Sequence, residues 1–275
     1  MEYIVENFAN LNQLLRATER PYNAVFARES HDSERTSDYG FYKTNNYAEA
    51  IDLLKGGYAE PLNQIKRGVE TKARGISVRK TAVKNDVVGY APNVPNAIRG
   101  IPQSMINAQT AAKKSKVLSI VYDVTGSGML DSESYIKAGI TICTIINTLE
   151  ANGYRVSLKV IFKNSEKYSQ RTIAAINLKD WRQPLDLKKL TFPLCHPSMQ
   201  RRLGFKWLET QPDLTDTGYQ SGYGRSSTAA NSYDRLEADL RKNKVLGEHD
   251  RYITIYLCKD NDFDPQKTMK ACGLE

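Results

Sequence analysis

A strand, loop, helix and strand in succession form the feature that most limits how this chain can fold. "VLSIVYDVTGSGMLDSESYIKAGI" opens with an apolar, β-prone run at Val117–Tyr122 and passes into a helical pattern from about Ser134 to Ala151. "NG" ends that helix, and "YRVSLKVIF" then alternates as a strand with its apolar residues on one side. Strands that alternate with helices predict a parallel α/β sheet covered by helices on both faces.

Further elements on either side of this unit give the predicted domain organisation. "TIAAINLKD" and "RYITIYLCKD" read as strands, whereas "SMQRRLGFKWLE" and "ANSYDRLEADLRKN" read as helices, so the main α/β domain is expected over residues 115–275. Residues 1–65 are predicted to be a smaller, mostly helical and irregular N-terminal region, because "IVENFANLNQLLRA" places Ile4, Phe8 and Leu11 near one helical face. Residues 66–114 are predicted to be a basic, proline-containing connector.

Composition excludes several classes of protein. The chain has 275 residues and no apolar run of about 18 residues or more, so no membrane partner is expected. Its first residues, "MEYIVENFANLNQLLRATER", do not form a secretory signal. The four cysteines lie far apart, which argues against a disulfide scaffold and a zinc site and suits a reducing cytoplasm.

The loop after the first strand carries the residues with the clearest chemistry. Asp123, Thr125 and Ser127 alternate there, and Gly126 and Gly128 allow a sharp backbone turn. Ligands of open α/β sheets bind at the carboxyl ends of strands, and hard oxygen donors suit Mg²⁺, Mn²⁺ or Ca²⁺. The alternative is an ordinary strand-to-helix loop, in which the same residue types serve as caps and turns.

"IVYDVTGSGM", followed by a long helix and "RVSLKVIF", resembles the start of a von Willebrand factor A domain. The resemblance covers about residues 115–275 and implies a three-layer, Rossmann-like sheet with a metal-ion-dependent adhesion site. In that family the site opens with Asp-x-Ser-x-Ser, to which Asp123, Thr125 and Ser127 correspond, with threonine in the first hydroxyl position.

The family adds a threonine from a second loop and an aspartate from the end of a later strand. The loop "TDTGYQSGYGRSST" offers Thr217 as the candidate, with Thr215 and Thr228 as alternatives, and "YITIYLCKDND" offers Asp260. The Thr-Asp-Gly turn that usually carries the aspartate is absent here. The resemblance implies a divalent ion, Mg²⁺ or else Mn²⁺ or Ca²⁺, with one position filled by a carboxylate of a protein partner.

The whole chain also resembles a group of bacteriophage-encoded proteins. This resemblance is carried by "FYKTNNYAEAIDLLKGGYAE", "GYAPNVPNAIRGIPQSM" and "HPSMQRRLGFKWLE". It implies a viral origin and a protein that acts in the host cytoplasm, either in virion assembly or in a nucleoprotein complex.

The charge balance indicates an anionic partner. The formal net charge is +8, and much of it comes from a basic stretch between Lys66 and Lys84. The candidate partner-binding or nucleic-acid-binding residues are Lys66, Arg67, Lys72, Arg74, Arg79, Lys80, Lys84, Tyr223 and Arg225. A solvated basic surface is the alternative, because the stretch lacks the dense aromatic residues of a single-strand binding platform.

Three functions are compatible with these features. The first is a non-enzymatic binding or assembly protein that engages a protein partner through the divalent-metal site. The second is a nucleic-acid-associated protein that uses the basic stretch. The third is a metal-assisted hydrolase, for which no general base is apparent. The adjacent Cys195 and His196 do not predict a nucleophile and base, since sequence neighbours rarely face each other.

Overall fold

The structure of the protein is a computed structural model that describes most of the chain. The described residues are 2–26, 31–36, 38–73, 82–109, 116–126, 130–163, 169–217, 233–248, 250–253, 263–271 and 273. The chain forms two compact units. We call residues 1–74 together with 117–275 the main unit, and residues 75–116 the insert unit.

Strands and helices alternate through most of the main unit. The strands of the chain are β1 (Glu2–Phe8), β2 (Ala82–Asp86), β3 (Ala91–Pro92), β4 (Met105–Gln109), β5 (Lys116–Asp123), β6 (Tyr154–Lys163), β7 (Gln170–Lys179) and β8 (Asp250–Ile253). The α-helices are α1 (Leu11–Thr18), α2 (Tyr39–Tyr42), α3 (Tyr47–Gly56), α4 (Ala59–Ala73), α5 (Val94–Ile98), α6 (Ser132–Ala151), α7 (Leu187–Cys195), α8 (Phe205–Glu209), α9 (Tyr233–Lys242) and α10 (Pro265–Ala271). Two short 3₁₀ helices, Ala24–Phe26 and Asp32–Glu34, and a π-helix, Met199–Gly204, complete the described elements.

The main unit is a mixed α/β fold built on one five-stranded, mostly parallel sheet. The strand order is β1-β7-β6-β5-β8, with β1 parallel to β7 and β5 parallel to β8. Contacts between β5 and β6 advance together along both strands, from Ser119–Ser157 to Val124–Ile161, as parallel strands require. The predicted order of strand, helix and strand over β5, α6 and β6 is confirmed.

Side chains of the sheet alternate between two hydrophobic clusters. In β5, Ile120 and Tyr122 belong to the larger cluster, which includes residues of α6 and α7. Val121 lies between them in sequence and packs on the opposite face, in a cluster that includes Leu240 of α9. A strand buried on both faces requires this two-residue period, and the predicted helices on both faces are confirmed.

Two details of the sheet differ from the prediction. Glu2–Phe8, predicted to begin an amphipathic helix, is instead a strand paired in register with Gln170–Ile176, so a long-range pairing overrides the local helical spacing. β7 runs antiparallel to β6 rather than parallel. Only residues 164–169 join these strands, and a parallel crossover needs a dozen residues or more.

The predicted basic, proline-containing connector contains regular secondary structure. α4 continues through the first part of the basic stretch to Ala73, in the main unit. In the insert unit, β2, β3 and β4 form a separate antiparallel sheet of order β2-β4-β3, and the short helix α5 follows β3. Within the described residues, no helix is both long and apolar enough to cross a membrane.

The π-helix fixes several segments of the main unit through buried polar side chains. Arg202 is fully buried and donates to the hydroxyl of Thr44 and to the carbonyl oxygens of Ser33, Arg35 and Thr44. Its guanidinium also lies over the Tyr42 ring, 3.9 Å from the centroid. These contacts hold Ser33, Arg35, Tyr42 and Thr44 against the π-helix.

Replacement of Arg202 by lysine is expected to destabilise the protein by about 2 kcal/mol or more, because an ammonium cannot reproduce the forked donors and leaves buried carbonyl oxygens unpaired. Urea unfolding followed by circular dichroism measures this loss. Arg155→Lys, at an exposed position of β6, is the matched control and should change stability little. Equal stability of the two variants would contradict the assigned role of Arg202.

Candidate functional site

The carboxyl ends of β5 and β8 form the candidate site. The chain leaves β5 through α6 towards β6 on one side, while β8 lies on the other side of β5. This reversal of strand order is a topological switch point, the place where open α/β sheets bind ligands. Asp123 is the last residue of β5 and is only 5% exposed. We call this end of the sheet the upper edge.

Asp123 is neutralised by a lysine from the neighbouring strand. The Nζ of Lys163, the last residue of β6, lies 2.9 Å from Oδ2 of Asp123, and both side chains are almost completely buried. The hydroxyl of Tyr252 in β8 donates to the same oxygen at 3.1 Å. Three neighbouring strands therefore bring their charged or polar residues together at one carboxylate.

The loop that follows Asp123 is held by hydrogen bonds to the end of β5 and to β6. The backbone N–H of Thr125 donates to Oδ1 of Asp123 at 2.9 Å, so the carboxylate turns the chain at the strand end. The Thr125 hydroxyl oxygen accepts the backbone N–H of Lys163 at 3.0 Å. The Asp123 carboxylate and the Thr125 hydroxyl, two of the predicted metal-ligating groups, therefore both help to shape the loop.

The π-helix fastens the same loop from the other side. Oε1 of the buried Gln200 accepts the backbone N–H of Gly126 at 2.8 Å, and Arg201 donates to the carbonyl oxygen of Leu130. A side chain at Gly126 would collide with the hydroxyl of Tyr135, so glycine is required there by close packing. The described part of the loop is therefore preorganised.

A divalent ion does not fit the described donors of this loop. Both oxygens of Asp123 already accept hydrogen bonds or face an ammonium, and the Thr125 hydroxyl oxygen accepts a backbone N–H. A cation beside Asp123 would meet the positive charge of Lys163. No cluster of three His, Cys, Asp or Glu side chains suited to a metal occurs in the part of the chain that the structure describes.

Of the three other predicted metal ligands, only Thr217 lies within the described residues. Ser127 and Asp260 lie outside the described residues, so the five-ligand site stays a prediction. Thr217 is exposed, and its neighbour Asp216 accepts hydrogen bonds from the backbone N–H groups of Ser169 and Gln170, where β7 begins.

The predicted partner-binding residues are placed unevenly. Lys66 and Arg67 are exposed on α4, and Lys84 is exposed on β2 in the insert unit. Lys72 is the last lysine of α4, and its side chain is not described. The other five candidates, Arg74, Arg79, Lys80, Tyr223 and Arg225, lie outside the described residues. A common surface for this set therefore stays a prediction.

Cys195 and His196 are buried structural residues. Burial raises the pKa of the Cys195 thiol well above its usual value, as does the nearby Cys143, so the thiol stays protonated and unreactive. Burial, with the charge of Arg201, lowers the pKa of His196 to about 4. The neutral imidazole stacks on Phe192, and its Nδ1 accepts the backbone N–H of Ser198.

Lys163 is the residue of the candidate site that the sequence analysis did not select. Its signal is positional: Lys163 ends one strand as Asp123 ends the next, and adjacent parallel strands end at the same edge. A cavity of about 700 Å³ lies at the opposite edge, where Ser119, Ser157 and Lys179 contribute to its lining, and it does not include Asp123. We place the candidate site at the upper edge because charge and topology coincide there.

These features define an open-sheet α/β protein with a preorganised, internally neutralised polar site at its switch point. Residues 2–270 match the family described as "Domain of unknown function (DUF7192)", and the chain belongs to that family. Neither the curated proteins nor the solved structures contain a significant match.

Lys163→Met is expected to destabilise the protein by about 3–5 kcal/mol, because it leaves the Asp123 carboxylate buried without its counter-ion. The double variant Asp123→Asn/Lys163→Met should recover at least about 1 kcal/mol of that loss, since it removes both charges. Chemical unfolding of the two single variants and the double variant measures the coupling. Lys137→Met, in an exposed pair with Glu133, is the control and should cost less than about 1 kcal/mol.

His196 predicts a specific acid dependence of stability. Its pKa is about 4 in the folded protein and 6.5 in its unperturbed state, so between these values the unfolded chain binds the proton and the folded chain does not. Stability should fall by about 3 kcal/mol as the pH drops through this window and be unaffected by this group above it.

Unfolding curves at a series of pH values test this dependence. His196→Asn keeps an acceptor for the Ser198 N–H and should flatten the curve between pH 6.5 and 5, the part of the window that lies above the usual range of carboxylates. His31→Asn is the matched control, at a less buried histidine, and should retain most of the slope. An unchanged slope in His196→Asn would show that other groups govern the acid response.

Proposed function

We propose that this protein is a non-enzymatic binding protein of von Willebrand A type that takes an acidic group of a partner at the upper edge. Two features support the von Willebrand A type. Asp123 and Thr125 open the loop after β5, and the switch point lies beside that loop. In this proposal Lys163 supplies the positive charge that a divalent ion supplies in metal-binding members of that type.

The observation that carries the proposal is the set of hydrogen-bond partners of the Lys163 ammonium. The ammonium contacts Asp123, and no other partner of its Nζ is found among the described residues. An ammonium has three N–H donors, and in the described part of the chain only Asp123 faces them, so we expect the others to meet an incoming acceptor. A carboxylate is the acceptor that best matches a cation in a buried, preorganised setting.

The electrostatic setting explains why a lysine suits this role. Asp123 holds the ammonium in place and reduces the cost of keeping a charge in a nearly buried position. The Thr125 N–H donates to one oxygen of the Asp123 carboxylate and the Tyr252 hydroxyl donates to the other. These two hydrogen bonds fix the orientation of the carboxylate. The partner's carboxylate would then complete a network of charge-assisted hydrogen bonds instead of coordinating a metal ion.

The broader setting rests on resemblance alone. A bacteriophage origin, and action in virion assembly or in a nucleoprotein complex of the host cytoplasm, stay predictions. The divalent-metal version of the site also stays a prediction, because Ser127 and Asp260 are not described. One experiment distinguishes the metal-dependent and metal-independent versions.

Calorimetry with an amidated oligoglutamate peptide tests the proposal. The peptide should bind wild-type protein equally well in excess EDTA and in excess magnesium. Lys163→Gln should weaken binding about tenfold or more, the value of one lost charge-assisted hydrogen bond. Lys137→Gln, an exposed lysine on α6, controls for the general attraction of a basic protein and should bind as wild type.

Two results would contradict the proposal. Peptide binding that is equal in Lys163→Gln and wild type would remove Lys163 from the site. Heat from magnesium, manganese or calcium alone that Asp123→Ala abolishes would favour the divalent-metal version.

A further inference from the structure

The insert unit exposes most of the large apolar side chains that the described chain leaves in solvent. Six of the eight exposed large hydrophobic residues of the described chain belong to it. They are Val87, Val88, Tyr90, Val94, Ile98 and Ile101. The most exposed, Ile98, is 81% exposed, and Val88 is 75% exposed. Isolated surface apolar residues are common, but this density within one short segment marks an interaction surface.

The insert unit also lacks a core of its own in its described part. No residue from Lys84 to Asn107 is buried. A small antiparallel sheet gains its stability from a covered apolar face, and this sheet has three strands, one of them the two-residue β3. The sheet is therefore expected to reach its full stability only when a partner covers it.

An open strand edge accompanies the apolar residues. Among the described strands, β2 pairs only with β4 and stands at the edge of its sheet, so its outward N–H and C=O groups can pair with an added strand. The opposite edge is a poor receiver, because β3 is short and contains Pro92, which has no N–H to donate. Val87 and Val88 follow β2 directly in the chain and are exposed.

Charge determines what kind of partner fits this surface. The sequence of residues 75–116 contains seven basic residues, Arg79, Lys80, Lys84, Arg99, Lys113, Lys114 and Lys116, against one acid, Asp86. Seven minus one gives a net charge of +6, out of +8 for the chain. A second copy would bring the same positive charge and be repelled. Nucleic acid would match the charge but would leave the exposed valine and isoleucine side chains without an apolar contact.

We propose that the insert unit is a docking module for an extended, acidic segment of another protein. The segment adds a strand to β2 through main-chain hydrogen bonds, covers Val87 and Val88 with its apolar residues, and pairs its carboxylates with Lys84 and neighbouring cations. This docking surface uses no residue of the candidate site, and its proposal does not depend on the function proposed for the upper edge.

Fluorescence anisotropy with the full chain and a labelled, capped peptide of alternating valine and glutamate tests this docking. Lys84→Glu and Val88→Asp should each weaken binding about tenfold or more, through lost charge complementarity and lost apolar contact respectively. Both positions are exposed, so the variants should keep the wild-type circular dichroism spectrum. Val117→Asp, at an exposed valine of β5, is the matched control and should bind as wild type.

Hydrogen exchange tests the added strand directly. Amides of β2 should exchange more slowly when the peptide is bound, because strand addition pairs its open edge. Unchanged exchange in β2 at saturating peptide would overturn the strand addition.

Three other outcomes would overturn the choice of partner. A peptide with serine in place of valine that binds equally well would show that charge alone acts. Oligothymidylate that binds more tightly than the peptide and is insensitive to Val88→Asp would identify a nucleic-acid surface. Self-association in sedimentation equilibrium that Val88→Asp abolishes would identify a second copy as the occupant.

Discussion

The polar side chains of the π-helix Met199–Gly204 are the constraint on which the candidate site depends. Gln200 and Arg201 reach the loop after β5, while Arg202 reaches residues 33–44. Burial lowers the pKa of Arg202, which reflects the cost of taking a guanidinium out of water. Carbonyl oxygens and the face of Tyr42 offset that cost, and the result is a rigid junction between segments distant in sequence. π-Helical turns often occur near functional sites, and this one directly supports the switch point.

The support from the π-helix means that the charged groups of the upper edge are oriented before a partner binds. The described part of the Asp123 loop is fixed by the end of β5, by β6 and by the π-helix, so a partner meets a charge that is already oriented. Preorganisation of this kind favours recognition, because little further ordering is needed on binding. The basic, apolar insert unit has the opposite character, with many exposed side chains and none buried among its described residues from 84 to 107. The two surfaces are therefore suited to different kinds of contact.

Sequence reasoning succeeded where the signal was local. The run over β5, α6 and β6 has clear strand and helix periods, and the loop residue Asp123 was found from its place at a strand end. β1 was missed because the spacing of Ile4 and Phe8 suits a helix as well as a strand, and only its pairing with β7 decides between them. The ion pair with Lys163 was missed because it joins two strands, although their parallel ends predict the meeting. The arginine contacts of the π-helix had no local signal, since their acceptors are backbone carbonyls far along the chain.

The pairing of β1 with β7 affects how the protein emerges from the ribosome. Phe8 has its register partner at Ile176, so β1 remains without its neighbour while all the residues between them are synthesised. During that interval its hydrogen-bonding groups are open to wrong pairings, and the sheet closes late because contacts of such long range form slowly. β1 therefore stays without its sheet partner until β7 has been synthesised, and the upper edge forms later still, because β8 follows β7 in the chain.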